Sequence, residues 1–295
     1  MTQSIAFHSY KGGTGKTTIA CNLAAMLATK GYNVSMLDLD VYAPSLHAYF
    51  EKTPYKWIND LLSDNAKIDD VMVDMTSVIE EYAGLGKKGG KLWIGFSNPQ
   101  KEEVYKLEGG GGKQANAKIQ LLRKFIQLRE DLISEYDSDY IIIDTSPGIR
   151  FWSINSLAIA DTLFLTLKLG DLDIEGTRKM ANDIYGSFTK FGAKSYLLLN
   201  RVGGYCVPNT PIVPRNNHHR SEEEGNDAVA LPPQYDEADL GKSLSDEVSM
   251  DLISAIPCYC DIQFSRKEFL TVLQYPNHPF AKQLEKLATA KQIKV

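Results

Sequence analysis

The sequence predicts an α/β chain: a doubly wound, mostly parallel sheet flanked by helices. Residues 5–39 read as strand, glycine-rich loop, helix and strand, a βαβ unit whose two strands run parallel. The later strand candidates, 91–96, 140–143, 162–167 and 195–199, are continuous apolar runs, the pattern of strands covered on both faces. Between them lie helical patterns, with apolar residues recurring at steps of three, four and seven.

Each element has its own signal. Residues 5–9 form an apolar strand that runs straight into the glycines. Over 17–29 the residues Ile19, Leu23, Met26 and Leu27 mark one helix, and Gly31 stops it. A second strand over 33–39 ends in Asp38-Leu39-Asp40. Four glycines at 109–112 read as a surface loop before a helix over 117–136, marked by Ile119, Leu122, Phe125, Ile126 and Ile133. The strand over 140–143 ends in Asp144, followed by Thr145-Ser146-Pro147-Gly148. A helix over 174–188 separates the next two strands. Residues 203–250 break the pattern, with five of the 12 prolines, a His218-His219 pair and nine acidic residues against three basic ones. They read as an acidic, partly disordered insertion within a single domain spanning 1–295. The fold resumes at 255–257 and closes with a helix over 279–290.

Composition narrows the class. With 43% apolar and 23% charged residues the chain is ordinary globular material. Four cysteines, at 21, 206, 258 and 260, are too few and too irregular for a disulfide framework, which suggests a reducing compartment. Residues 1–8 lack the basic and apolar regions of a secretory signal, and no apolar run approaches the about 18 residues of a membrane span. The expectation is a soluble, cytoplasmic protein. The net charge of -5 is concentrated in 203–250, which carries -6 and leaves +1 elsewhere. Bulk charge therefore neither demands nor excludes a nucleic-acid partner.

The run Lys11-Gly12-Gly13-Thr14-Gly15-Lys16-Thr17-Thr18 has the chemistry of a phosphate loop. Successive N–H groups of a glycine-rich turn point inward, and the following helix adds its positive N-terminal dipole. Gly12, Gly13 and Gly15 supply backbone freedom, and Thr14 and Thr18 complete the cradle. Lys16 would reach the β- and γ-phosphates, and Thr17 would place its hydroxyl on Mg2+. The general pattern G-x-x-x-x-G-K-S/T loses its first glycine here, with Ser9-Tyr10 in its place.

With its extra lysine, this run resembles the deviant Walker A loop of the ParA/MinD superfamily of P-loop ATPases. Lys11 matches the signature lysine that reaches the nucleotide held by a partner subunit. The resemblance implies ATP and Mg2+ as ligands, a homodimer with ATP sandwiched between subunits, and slow hydrolysis stimulated by an activator or cargo adaptor. Asp38-Leu39-Asp40 followed by Pro44-Ser45 is similar to the first switch, where Asp40 would orient the attacking water and Asp38 would support it near Mg2+. Asp144 matches the Walker B carboxylate that holds Mg2+ through water, and 145–148 the second switch. Asn200-Arg201, at the end of a strand, is similar to the adenine-contacting asparagine and its neighbour; the guanine signature Asn-Lys-x-Asp is absent.

Several branches share this machinery. The nitrogenase-reductase type places a cysteine near the second switch, and 144–160 has none. An iron–sulfur carrier of the Mrp type remains an alternative through Cys206, Cys258 or Cys260, although Asn209 stands where its second cysteine would be. A module that holds ATP without hydrolysing it is another, against which the intact Asp40 argues. A tail with Ile293 and Val295 among Lys291 and Lys294 is a faint version of a membrane-binding helix. Lys282, Lys286, Lys291 and Lys294 offer a basic patch for DNA, interrupted by Glu285. The sequence expectation is thus a positioning or partitioning switch with an open choice of surface.

Overall fold

In the computed structural model, which describes residues 2–82, 89–100, 102, 115–190, 192–202 and 237–293, strand β1 (Gln3–His8) lies inside an eight-stranded sheet. The other strands are β2 (Val34–Leu39), β3 (Met72–Asp74), β4 (Leu92–Gly95), β5 (Tyr140–Thr145), β6 (Thr162–Leu167), β7 (Lys194–Val202) and β8 (Leu252–Pro257). Their order is β3-β4-β2-β5-β1-β6-β7-β8. All neighbours pair in parallel except β3 with β4. The chain winds from β1 outward to β4, returns at β5, then crosses to β6. The loop after β1 therefore opens where the winding reverses, the place where such sheets bind ligands.

The strands bury alternate residues on two faces, as the two-residue period of a strand requires. Ile5, Phe7, Met36, Ile142 and Phe164 pack on the face covered by helix α1 (Lys16–Thr29). Ala6, Leu37, Ile141, Ile143, Leu163 and Leu165 pack on the opposite face. There they meet α2 (Ala115–Ser134), α3 (Phe151–Leu157), α4 (Asp171–Met180) and α5 (Glu237–Val248). Each fully buried Ile, Leu or Phe contributes about 1.5–3 kcal/mol, so the two layers hold the sheet from both sides. The last long helix, α6 (Pro279–Ala288), lies against α1 and starts with His278 as its cap, accepting from Phe280 N, and proline at its first position.

Several boundaries differ from the sequence expectation. The strand placed at 195–199 runs to Val202, so Asn200 and Arg201 lie inside β7, at an irregularity in its pairing with β8. The helix expected over 174–188 begins at Asp171 and passes through a π turn, Ala181–Tyr185, before ending at Lys190. Within the stretch read as a polar insertion, Glu237–Val248 is a helix whose Leu244 and Val248 are buried. Its polar sequence hid two apolar residues spaced four apart. Ile293, read as part of a faint membrane-binding helix, is fully buried in the core. The edge strand β3 and the short helices Leu46–Phe50, Ile58–Leu62, Ile68–Val71 and Thr76–Glu80 carried no clear sequence signal. The four glycines at 109–112, Cys206, Asn209 and His218-His219 lie outside the described residues.

Docking of α5 has a direct check. Leu244→Ala should lower the unfolding free energy by about 2–5 kcal/mol, read as a shift of the urea midpoint. A loss below about 1 kcal/mol would mean that α5 is not packed on the sheet.

Candidate functional site

The loop between β1 and α1 has the backbone a phosphate cradle needs. Gly13 and Gly15 sit at φ 73 and 88, the left-handed region where a side chain is strained. Gly15 is the residue before α1, and having no side chain it offers no cap of its own to the N–H groups of the first turn. Lys16 is 6% exposed and folded into the site. Ser9 Oγ donates to Lys11 O at 2.6 Å and fixes the start of the loop.

Three carboxylates meet this loop from neighbouring strands. Asp38 on β2 and Asp144 on β5 are directly opposite in register, and Asp40 follows two residues on. Thr17 Oγ1 donates to Asp144 Oδ2 at 2.6 Å, joining the loop to β5. Asp144 Oδ1 is buried without a partner. Burial raises the Asp144 pKa to about 6, with Lys16 and the Thr17 hydrogen bond acting the other way and Asp40 adding to the rise. Asp38 is pushed well above the usual carboxylate range by burial, then by the charges of Asp144 and Asp40. An orphaned carboxylate oxygen amid crowded, desolvated negative charge fits a hard divalent cation such as Mg2+. Among the described residues no three His, Cys, Asp or Glu side chains form a cage of their own. A cation here would complete its shell with phosphate oxygens and water, the usual habit of Mg2+.

Asp40 is held in one pose. Its Oδ1 accepts from Tyr42 N at 3.3 Å, Ala43 N at 3.1 Å and Ser146 Oγ at 2.7 Å. Among the described residues every donor to this carboxylate falls on Oδ1. The Arg150 guanidinium lies 4.1 Å over the Tyr42 ring, a second tie between the segments after β2 and β5.

Asn200, likened by resemblance to an adenine-contacting asparagine, and its neighbour Arg201 both hold the loop. Asn200 Nδ2 donates to Thr14 O at 2.7 Å, and Arg201 Nη1 donates to Gly13 O at 2.9 Å. Asn200 Oδ1 accepts from Arg201 N at 2.9 Å, and Arg201 takes φ 59 to make this turn. A Cβ on Gly15 would fall 2.3 Å from Asn200 Nδ2, so only glycine admits this contact. The two residues also line an open cleft with Gly15, Thr18, Pro257 and Glu268. Thr18 Oγ1 is hydrogen-bonded to Tyr49 Oη at 2.8 Å.

Lys11 stands apart from Lys16. Its side chain is 43% exposed, and its ammonium lies 3.7 Å from Asp173 Oδ1 in the first turn of α4. Sequence reasoning also missed His8. Fully buried, its Nε2 lies 3.0 Å from Gly148 O and its Nδ1 2.9 Å from Tyr185 Oη. A carbonyl only accepts, so Nε2 carries the proton and Nδ1 accepts from the tyrosine. Burial lowers the His8 pKa to about 3; Lys16 adds to the fall and the Gly148 carbonyl opposes it. Gly148 N donates to Ser9 O at 2.8 Å, so both backbone groups of Gly148 are fastened to the end of β1. A histidine ending a strand gave no sign of this tie, because its partners are remote in sequence.

The fold and loop define a P-loop nucleotide-binding chain. Residues 5–209 match the CobQ/CobB/MinD/ParA nucleotide binding domain family, and the chain belongs to that family. A curated relative, an uncharacterized protein of Methanocaldococcus jannaschii, is 32% identical over 61% of this chain and 64% of its own length. The sporulation initiation inhibitor protein Soj of Bacillus subtilis is 26% identical over 62% of this chain and 65% of its own. The solved structure of the septum site-determining protein MinD complexed with Mg-ADP, from Pyrococcus horikoshii, superposes with a TM-score of 0.65 at 21% identity. That match covers 98% of this chain and 95% of the other, and it is a likeness of fold. Against the first curated relatives the chain spans 42–64% of their length.

The His8 tie predicts a pH dependence. Folded His8 titrates near about 3 instead of 6.5, so between those values the unfolded chain takes up a proton that the folded chain refuses. Stability from this group is complete above 6.5 and falls as pH drops through the window, by up to about 1.4 kcal/mol per unit. His8→Gln lacks that slope. Urea unfolding at pH 7 and pH 4.5 should show the wild type losing about 2–3 kcal/mol more than the variant; equal losses would show that His8 titrates normally in the folded state.

Proposed function

We propose that this chain is an ATP-dependent switch of ParA/MinD type, hydrolysing ATP to ADP and phosphate and using the cycle to control the positioning or partitioning of a cargo. In this reading it is one domain over 1–295, with 203–250 as an insertion, working in the cytoplasm. The observation that carries the reading is the different placement of the two loop lysines. Lys16 is buried in its own site, whereas Lys11 stands half-exposed at the rim on a 3.7 Å ion pair. A pair that long and that exposed is worth about 0–1 kcal/mol, so Lys11 exchanges Asp173 readily for phosphates presented by a second copy. ATP then closes a face-to-face homodimer, and the γ-phosphate reports on association.

Within each subunit Gly12, Gly13, Thr14, Gly15, Lys16, Thr17 and Thr18 cradle the phosphates. Asn200 and Arg201 brace the cradle and form the wall of the cleft where adenine rests. Thr17 and Asp144, with Asp38 behind, would hold Mg2+, which would supply charge neutralisation for the bound phosphates. Asp40, with Oδ1 fixed, offers Oδ2 to the attacking water and sets its line of approach. Lys11 and Lys16 stabilise the charge that develops on the transferred phosphoryl group. Turnover is slow until a protein activator or cargo adaptor engages; the working surface is nucleic acid, membrane or protein.

The name of one relative, the flagellum site-determining protein YlxH of Helicobacter pylori, 31% identical over 50% of this chain and 42% of its own length, accords with a positioning role. Cluster carriage finds less support: of its candidate thiols Cys260 is disulfide-bonded and Cys258 is half-buried, and among the described residues no three His, Cys, Asp or Glu side chains converge.

Light scattering with saturating ATP tests the switch. The wild type should double in mass, and Lys11→Ala should remain monomeric while still binding nucleotide. Asp40→Ala should dimerise but release phosphate at least about 100-fold more slowly. A wild type that stays monomeric, or a Lys11→Ala variant that dimerises equally well, rejects this reading.

A further inference from the structure

We propose that Ser146 is a positioning residue for hydrolysis: its hydroxyl, donated to Asp40 Oδ1, aims the carboxylate that orients the attacking water. The inference rests on the nucleotide reading above and deepens it. Ser146 is fully buried and Asp40 is 8% exposed, and their oxygens lie 2.7 Å apart. A hydroxyl bonded to a carboxylate away from water is a strong, directional contact.

The three donors to Asp40 Oδ1 do different jobs. Tyr42 N and Ala43 N belong to the same short segment as Asp40 and travel with it. They shape the carboxylate relative to its own turn, but not relative to the phosphates. Among the described residues Ser146 supplies the one donor from another element. Its own position is referenced to the phosphate loop through two neighbours. Thr145 Oγ1 donates to Phe7 O at 2.8 Å, and Gly148 N donates to Ser9 O at 2.8 Å. One hydroxyl therefore carries the coordinates of β1 and its loop across to Asp40. The Arg150–Tyr42 stack joins the same two segments nearer the surface.

This arrangement separates two outcomes. Without the hydroxyl, Lys16, Thr17 and the loop amides are untouched, so the phosphates are held as before. Asp40 keeps its local turn but loses its reference to the phosphates, and the water is aimed less often. The defect should fall on kcat and spare KM. A hydroxyl that only held the fold together would instead lower the melting temperature and leave kcat in place.

The test is steady-state and single-turnover ATP hydrolysis, with melting temperatures, for wild type, Ser146→Ala, Ser146→Thr, Asp40→Asn and Asp40→Asn with Ser146→Ala. Ser146→Ala should lower kcat about tenfold, part of the roughly 100- to 10,000-fold that a positioned base supplies, with KM changed less than about twofold. Ser146→Thr, which keeps the oxygen, should recover most of the rate. In the Asp40→Asn background Ser146→Ala should cause no further loss, because the two residues act as one unit. If Ser146→Ala does not fold, Ser146→Cys carries the comparison, since it keeps the volume and weakens the donor. A Ser146→Ala kcat within about twofold of wild type, or a full loss that persists in Asp40→Asn, overturns the proposal. An Asp40→Asn variant that hydrolyses normally overturns the earlier role of Asp40 instead.

Discussion

Three buried carboxylates and one buried lysine share a corner of this molecule from which water is excluded. Asp38, Asp40, Asp144 and Lys16 are each less than a tenth exposed. Parallel pairing forces the closest approach, because register sets Asp38 directly beside Asp144 at the ends of β2 and β5. Burial pushes the Asp38 and Asp144 carboxyls upward, and the neighbouring carboxylates add to the rise, while Lys16 opposes it at Asp144. The two hydrophobic layers hold the strands in place regardless. Under the proposed function a phosphate chain and its cation would offset the charges of this corner together.

The central position of β1 makes this corner a single mechanical unit. The strand pairs with β5 on one side and β6 on the other, so the loop after it is referenced to both. His8 and Ser9 hold Gly148, Thr17 holds Asp144, and Asn200 with Arg201 holds the loop from β7. The π turn at Ala181–Tyr185 joins the same frame, since Tyr185 donates to His8. π turns concentrate at functional positions in helices, and this one carries a side chain to the heart of the site.

Much of this was legible in the sequence, for physical reasons that differ by element. The phosphate loop, α1 and the apolar strands announce themselves because their chemistry is local: glycines where φ must be positive, continuous apolar runs where both faces are covered. Asp38 and Asp144 were legible because each ends such a run. The tie from Ser146 to Asp40 was not, because it joins residues 106 apart. Asn200 was legible as a strand-end residue of the site, but its bond to the Thr14 carbonyl was not, because the two are far apart in sequence. Helix α5 was missed because its buried Leu244 and Val248 sit in a strongly polar surrounding, where composition outweighs periodicity.

The sheet also ends in a way that bears on assembly. Strand β3 is three residues long, runs against the direction of its neighbour, and closes in the exposed Asp74, with Asp69 and Asp70 just before it. A long, bare margin of backbone amides would recruit another margin like itself and build open-ended ribbons. A stub this short, bordered by negative charge, gives a neighbouring molecule almost no ladder to climb. The β3 edge of the sheet is thereby blunted against pairing with the strand edge of another molecule.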